Sequence, residues 1–189
     1  MSRPRSEQKR QAILDAALRI FAERGVAASP TSAISQAAGV AEGTLFTYFK
    51  TKEELMLELY LELRNGFSRH MHDFPHNEDA RTRMKYIWDK YLEFGALYPT
   101  HMFVQMQLRA SGKLYKENET PTLAVIEALK VAREVAGGTE LRHAPPEFLV
   151  LLMRAQAETT LEFITAHPEW AAICKELGFK ALWKGLGGK

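Results

Sequence analysis

The stretch from Ser29 to Phe49, S-P-T-S-A-I-S-Q-A-A-G-V-A-E-G-T-L-F-T-Y-F, constrains this chain more than any other part of it. It holds two short helical patterns on either side of Gly39. Ser29 is a good N-cap, and Pro30 suits a first helical position. Ile34, Ala37 and Ala38 recur at helical spacing, and Gly39 supplies the left-handed backbone that ends a helix. Val40 plugs the corner, and Leu45, Tyr48 and Phe49 give the second helix a buried side. Ser35, four residues before Gly39, is small, as a close crossing of two helices requires. Ile34, Ala38, Val40, Leu45 and Tyr48 fall where side chains face inward. This pattern points to a DNA-reading helix-turn-helix. The competing reading is an αα-hairpin inside a structural bundle.

The run A-A-G-V-A-E-G-T-L-F-T-Y-F-K-T-K-E-E-L, Ala37 to Leu55, resembles the N-terminal domain of the TetR family of bacterial transcriptional regulators. The resemblance extends over about Gln11 to Leu59. It implies a homodimeric, ligand-responsive and usually repressing DNA-binding protein. Downstream, only the general all-helical layout of that family is recognisable. Two positions depart from the family pattern: Phe46 stands where a tyrosine is common, and Ser32 where some relatives place a base-reading arginine.

Within the motif, the recognition helix is expected over about Glu42 to Tyr48. Glu42, Gly43, Thr44 and Thr47 face outward. Gly43 lets backbone approach DNA closely, because it has no side chain to obstruct it. Thr44 and Thr47 suit phosphate or a thymine methyl, and Tyr48 offers a ring inward and a hydroxyl to phosphate. Glu42 favours the helix dipole and either repels phosphate or accepts from a cytosine amine. Ala41 lacks the side-chain oxygen of a good cap. Ser29, Ser32 and Lys52 complete the candidate DNA-binding set. Lys52 lies in the first turn of the next helix, where Thr51 and Glu54 have capping-box spacing; a lysine beside free N–H groups there makes a phosphate clamp.

Charge distribution agrees with a phosphate-facing end. Residues 1–52 carry eight Lys/Arg and four acids, whereas the whole chain has a net charge of only +2. The alternative is a merely solvated helix surface. Residues 1–5 form a short basic arm, either a DNA contact or a loose terminus.

The remainder reads as helices. Helix 1 is expected over Ser6–Arg24 with an inner stripe of Ile13, Leu14, Ala17, Leu18 and Phe21. Helix 4 runs to about His72, and helix 5 from a cap at Asn77 to Tyr98. Helix 6 ends at Gly112, helix 7 starts with Thr120 as cap and Pro121 first, and Pro145-Pro146 and Pro168 open helices 8 and 9. The tail from Gly185 reads as frayed. No alternation or hairpin signal competes with these helices. The expected fold is therefore all-α with about nine helices. A three-helix helix-turn-helix domain occupies 1–51, and a helical ligand-binding and dimerisation domain occupies 52–189.

Double-stranded DNA, a second copy of the chain and a small apolar or amphipathic ligand are the expected partners. For the ligand, Trp88, Tyr91, Met102, Phe103, Met106 and Phe148 are candidate lining, with Gln107 and Gln156 as polar contacts; the bland reading of each is plain core. For the dimer, helices 8 and 9 are apolar on more than one face, and Leu161, Ile164, Ala172, Phe179, Leu182 and Trp183 are the candidate seam; the bland reading is an ordinary monomer core. His70, His72 and His76 suggest metal, but Pro75 interrupts the helix that would align them, so no metal or cofactor is expected. No apolar run approaches the ~20 residues of a membrane span. A single cysteine, Cys174, fits a reducing compartment, and a cytoplasmic location is expected. No nucleophile-plus-base group or phosphate-cradling glycine loop points to an enzyme. A ligand-independent architectural DNA binder is the alternative to a regulator.

Overall fold

The computed structural model describes residues 3–112 and 121–189, and all regular structure among them is helical. Nine α-helices lie along these residues in order: α1 (Arg3–Arg24), α2 (Thr31–Ala37), α3 (Glu42–Tyr48), α4 (Lys52–His70), α5 (Ala80–Leu97), α6 (Pro99–Ala110), α7 (Leu123–Ala136), α8 (Pro146–Ala166) and α9 (Ala171–Gly185). Short 3-10 helices cover Glu140–His143 and Pro168–Trp170. The side chains of the basic arm at residues 1–5, and the cap expected at Thr120, lie outside the described residues.

Two compact units result. The first comprises Met1–Asn65 and Tyr98–Glu119, the second Gly66–Leu97 and Thr120–Lys189. This division differs from the 51/52 boundary expected above, because the first part of α4 and all of α6 pack with the N-terminal helices. Val104 and Leu108 of α6 are fully buried in one core with Ile13, Phe21, Ile34 and Leu45. An apolar stripe gains roughly 1.5–3 kcal/mol for each large side chain it buries, so a helix goes wherever its stripe is covered.

In the second unit, α5, α7, α8 and α9 pack together, and two glycines set how closely. A Cβ at Gly95 of α5 would lie 2.2 Å from Cδ2 of Leu161. A Cβ at Gly178 of α9 would lie 2.7 Å from both Thr160 Oγ1 and Trp88 Cζ2. Trp88 also donates its indole N–H to the carbonyl of Lys175 at 3.1 Å, so the buried ring keeps its hydrogen bond.

Several helix ends fall away from the sequence expectation, each for a local reason. α1 begins at Arg3, since Pro4 is tolerated in a first turn, where its missing N–H costs nothing. α5 begins at Ala80, because Asp79 and not Asn77 caps it: the Thr82 N–H donates to Asp79 Oδ1 at 2.8 Å. That backbone hydrogen bond is the main reason the Asp79 carboxyl lies below the ordinary aspartate range. α7 begins at Leu123, beyond Pro121, and Pro168 opens a 3-10 turn before α9.

The C-terminal residues are not frayed. Gly187 takes φ +98°, its N–H donates to Lys184, and the Gly188 N–H donates to Trp183 at 2.9 Å. That glycine closure folds the chain back, so Leu186 is buried and Trp183 Nε1 donates to the Lys189 carbonyl at 3.0 Å.

Around the histidines, Asp73 has φ +60°, and the His72 ring meets the Asp73 carboxylate 2.8 Å away on the surface. The His76 ring packs edge-on against Phe74, and His70 Nε2 lies 3.7 Å from Glu93. Among the described residues no three His, Cys, Asp or Glu side chains converge on one point.

Candidate nucleic-acid interface

The turn between α2 and α3 is built by backbone hydrogen bonds around Gly39, whose φ is +68°. The Gly39 N–H donates to Gln36 at 3.1 Å and the Val40 N–H to Ser35 at 3.0 Å, so two carbonyls at the end of α2 are satisfied by the turn itself. Ser35 is buried where the two helices cross, and Leu45 of α3 is completely buried beside Ile34. Packing thus fixes which side of α3 faces out.

On that outer side lie Glu42, Gly43, Phe46 and Thr47, with Thr44 and Tyr48 half-buried at its edges. Among the described residues, no atom apart from its two chain neighbours and the adjoining backbone of α3 comes within 4 Å of a Cβ built on Gly43, so its backbone is open to an approaching phosphate or base. Thr47 Oγ1 donates to the Gly43 carbonyl at 3.0 Å, which leaves its methyl and its acceptor lone pairs for an outside partner. Glu42 does not dangle: its Oε1 accepts from Thr31 Oγ1 at 2.7 Å, a link from the first turn of α3 to the first turn of α2. Ala41, at the N-cap of α3, makes no side-chain cap bond. Ser32 is exposed on α2.

Two candidate contacts face the other way. Ser29 is fully buried, and its hydroxyl donates to the Gly25 carbonyl at 2.6 Å, so it tightens the α1–α2 connection and is closed to DNA. It is not the cap of α2 either; Pro30 holds that place. The Lys52 ammonium donates to the Val26 carbonyl at 2.8 Å and lies 5.9 Å above the Phe21 ring, turned toward the edge of the core. The expected capping box forms at the start of α4: Thr51 Oγ1 accepts from the Glu54 N–H at 3.0 Å, and Glu54 accepts from the Lys50 N–H at 2.6 Å. Lys50 itself, just past α3, is exposed beside the outer face of that helix and is absent from the sequence-based set. Its signal was position alone: a lysine two residues beyond the end of α3. Arg10 and Arg19 are engaged within the unit, with Glu58 and the Ala37 carbonyl.

The candidate ligand residues divide between the two units. Met102, Phe103, Met106 and Gln107 are on α6 in the first; Trp88, Tyr91, Phe148 and Gln156 are in the second. Trp88 and Met102 are core side chains, at 2% and 5% exposure, which is the bland reading of each. Tyr91 meets Phe67 edge-on and its hydroxyl lies 3.3 Å from Glu158, while Phe148 is exposed. Phe103, Met106, Gln107, Arg109 and Ala110 line an open depression of about 430 Å³ along α6.

The candidate seam needs a larger correction. Leu161, Ile164, Phe179, Leu182 and Trp183 are all under 10% exposed in the single chain, packed in the core of the second unit. Only Ala172 of that set is exposed. The large apolar side chains left exposed in this region are different ones: Phe148, Leu151, Leu152 and Phe163 of α8, Trp170 of the 3-10 turn, and Ile173 and Leu177 of α9.

A glycine-closed pair of short helices on a three-helix core, with an open small-residue face on the second, defines a helix-turn-helix nucleic-acid-binding head. Residues 13–59 match the family model described as bacterial regulatory proteins, tetR family. Over these residues the chain is similar to the N-terminal domain of that family. A Bacillus subtilis relative, the fatty acid metabolism regulator protein, is 34% identical over 103 residues, 52% of each chain; the match spans about half that relative's length. A TetR-family structure from a Shewanella species superposes with a TM-score of 0.74 at 25% identity, over 94% of this chain and 97% of the other. FadR of Bacillus subtilis in complex with stearoyl-CoA shares the fold, with a TM-score of 0.64 at 18% identity over 91% and 96%.

Proposed function

We propose that this chain is a transcriptional regulator that reads a palindromic DNA site as a homodimer and releases it on binding a small effector, acting as a repressor. The observation that carries this reading is the outer face of α3. Its backbone is open at Gly43, it is flanked by Thr44, Thr47 and Lys50, and it is held rigid by the buried Leu45 and by the turn at Gly39. Seven residues of recognition helix make few contacts, so useful specificity needs two heads on half-sites about one turn, ~34 Å, apart. The uncovered stripe of Phe163, Trp170, Ile173 and Leu177 supports the dimer, since α8 and α9 from two copies would cover it as a four-helix bundle.

Effector action would be a population shift: a ligand preferring one arrangement of the heads draws the protein away from the arrangement that fits the half-site spacing. The apolar depression on α6 and the aromatic side chains of the second unit suit an apolar or amphipathic compound. Long-chain acyl-CoA is the first compound class to try, given the stearoyl-CoA complex of the structural neighbour.

The test is selection of duplexes from a randomised pool by the purified protein, followed by footprinting and titration against salt. The expected outcome is an enriched inverted repeat, protection of both halves, and affinity that falls steeply with salt as counterions are released. No enrichment at low salt would end this reading.

A further inference from the structure

We propose that Gln107 is a positioning residue for DNA reading, acting from α6 on the connection between α1 and α2 without touching DNA. The inference rests on the DNA-binding reading above. α1 closes with Gly25 at φ +78°, whose N–H donates to the Phe21 carbonyl at 2.9 Å. In the commoner glycine closure the following N–H also turns back onto the helix, as it does at Val40 and Gly188. Here the following residue, Val26, donates to Oε1 of Gln107 at 3.1 Å, a partner 81 residues away. Val26 is 8% exposed, so water does not readily replace that acceptor.

The same residue is gripped from its other side, because its carbonyl accepts from Lys52 Nζ at 2.8 Å. The Gly25 carbonyl accepts from Ser29 Oγ at 2.6 Å, two residues before α2 begins. Three side chains, from α6, from α4 and from the approach to α2, therefore fix two consecutive peptide groups. α6 presents Gln107 from a fixed position, because Val104 and Leu108 are fully buried in the same core. The gripped loop leads directly into α2, and α2 seats α3 through the turn at Gly39. Loss of the Gln107 acceptor would leave a buried N–H to find another carbonyl, and the loop would shift to provide one. Gln107 also lines the open depression on α6, so a guest there would meet the side chain that holds Val26.

The test compares wild type, Gln107→Leu and Gln107→Glu on a duplex that the wild-type protein has selected from a random pool. Leucine cannot accept a hydrogen bond; glutamate can. The expected result for Gln107→Leu is about tenfold weaker binding, the scale of one buried donor left unpaired, with an unchanged salt slope because no phosphate contact is lost. Amide exchange at Val26 should quicken, and Gln107→Glu should restore both affinity and protection. Wild-type affinity in Gln107→Leu would overturn the inference. So would a loss that glutamate fails to restore, since that would mark a general packing defect. If the wild-type protein selects no duplex at all, the DNA-reading conclusion fails first and this inference with it.

Discussion

Val40 donates its N–H to the carbonyl of Ser35 at 3.0 Å, across a glycine at φ +68°. This bond joins the corner residue of the motif to the small residue at the helix crossing, so the angle between α2 and α3 is set by backbone and not by long side chains. Among the described residues, Gly39 has nothing beyond its two chain neighbours within 4 Å of a built Cβ, which means that its requirement is conformational and not spatial. Gly39→Ala should therefore destabilise by about 1–2 kcal/mol, the cost of left-handed backbone for an L-residue. Gly39→Asn should cost less, since asparagine visits that region more readily. Urea titration of the three proteins checks the order.

Gly178 makes the opposite demand. Its missing Cβ leaves room for the Trp88 ring and the Thr160 hydroxyl, both within 2.7 Å of where that carbon would stand. Gly178→Ala should cost about 1–3 kcal/mol by overpacking, because an indole in a filled core has nowhere to move. A lowered urea midpoint with an unchanged slope is the expected reading.

The uncovered stripe on α8 and α9 can be tested apart from DNA. Ile173→Glu and Leu177→Glu place charge on exposed positions, so the fold of one chain should survive with changes within about 0.5 kcal/mol. Sedimentation should nevertheless move toward the monomer, and affinity for an inverted repeat should fall much more than affinity for a single half-site. A dimer that persists in both variants would place the seam elsewhere.

His101 of α6 gives a pH dependence. Burial holds its imidazole below the usual histidine value, and the nearby carboxylates of Glu62 and Asp15 only partly oppose this. The unfolded chain therefore takes up the proton first. Stability is complete above the unfolded value of about 6.5 and is lost as pH falls from there through the lowered folded value. His101→Gln should flatten the stability profile over that window, read from urea midpoints between about pH 5 and 7.5.

The motif was legible in the sequence because its determinants are local. Gly39 and Ser35 act through backbone bonds to residues at most a few positions away, and a glycine that must be left-handed declares itself without knowledge of the rest of the fold. The same holds for the ends of α1, α6 and α8, which fall at Gly25, Gly112 and Pro146 as expected. Polar side chains with long reach were not legible. Ser29 read as a helix cap and DNA-binding residue and Lys52 as a phosphate clamp, from their places beside helix N-termini, yet each found a carbonyl in the α1–α2 connection. Gln107 read as a ligand contact, and its bond to the Val26 N–H, 81 residues away, left no mark in the sequence.

The sequence by itself determined that this chain is helical, where most helices stop, and that two of them form a reading head. Those properties arise from periodicity, caps and glycine backbone, which act over one or two turns. Tertiary structure alone decided which apolar face of α8 and α9 became core and which stayed uncovered. It also decided that α6 belongs with the head, and where Ser29, Lys52 and Gln107 found partners. Helices apolar on two sides offer the same pattern to either neighbour, so only the competition for burial among all of them selects one.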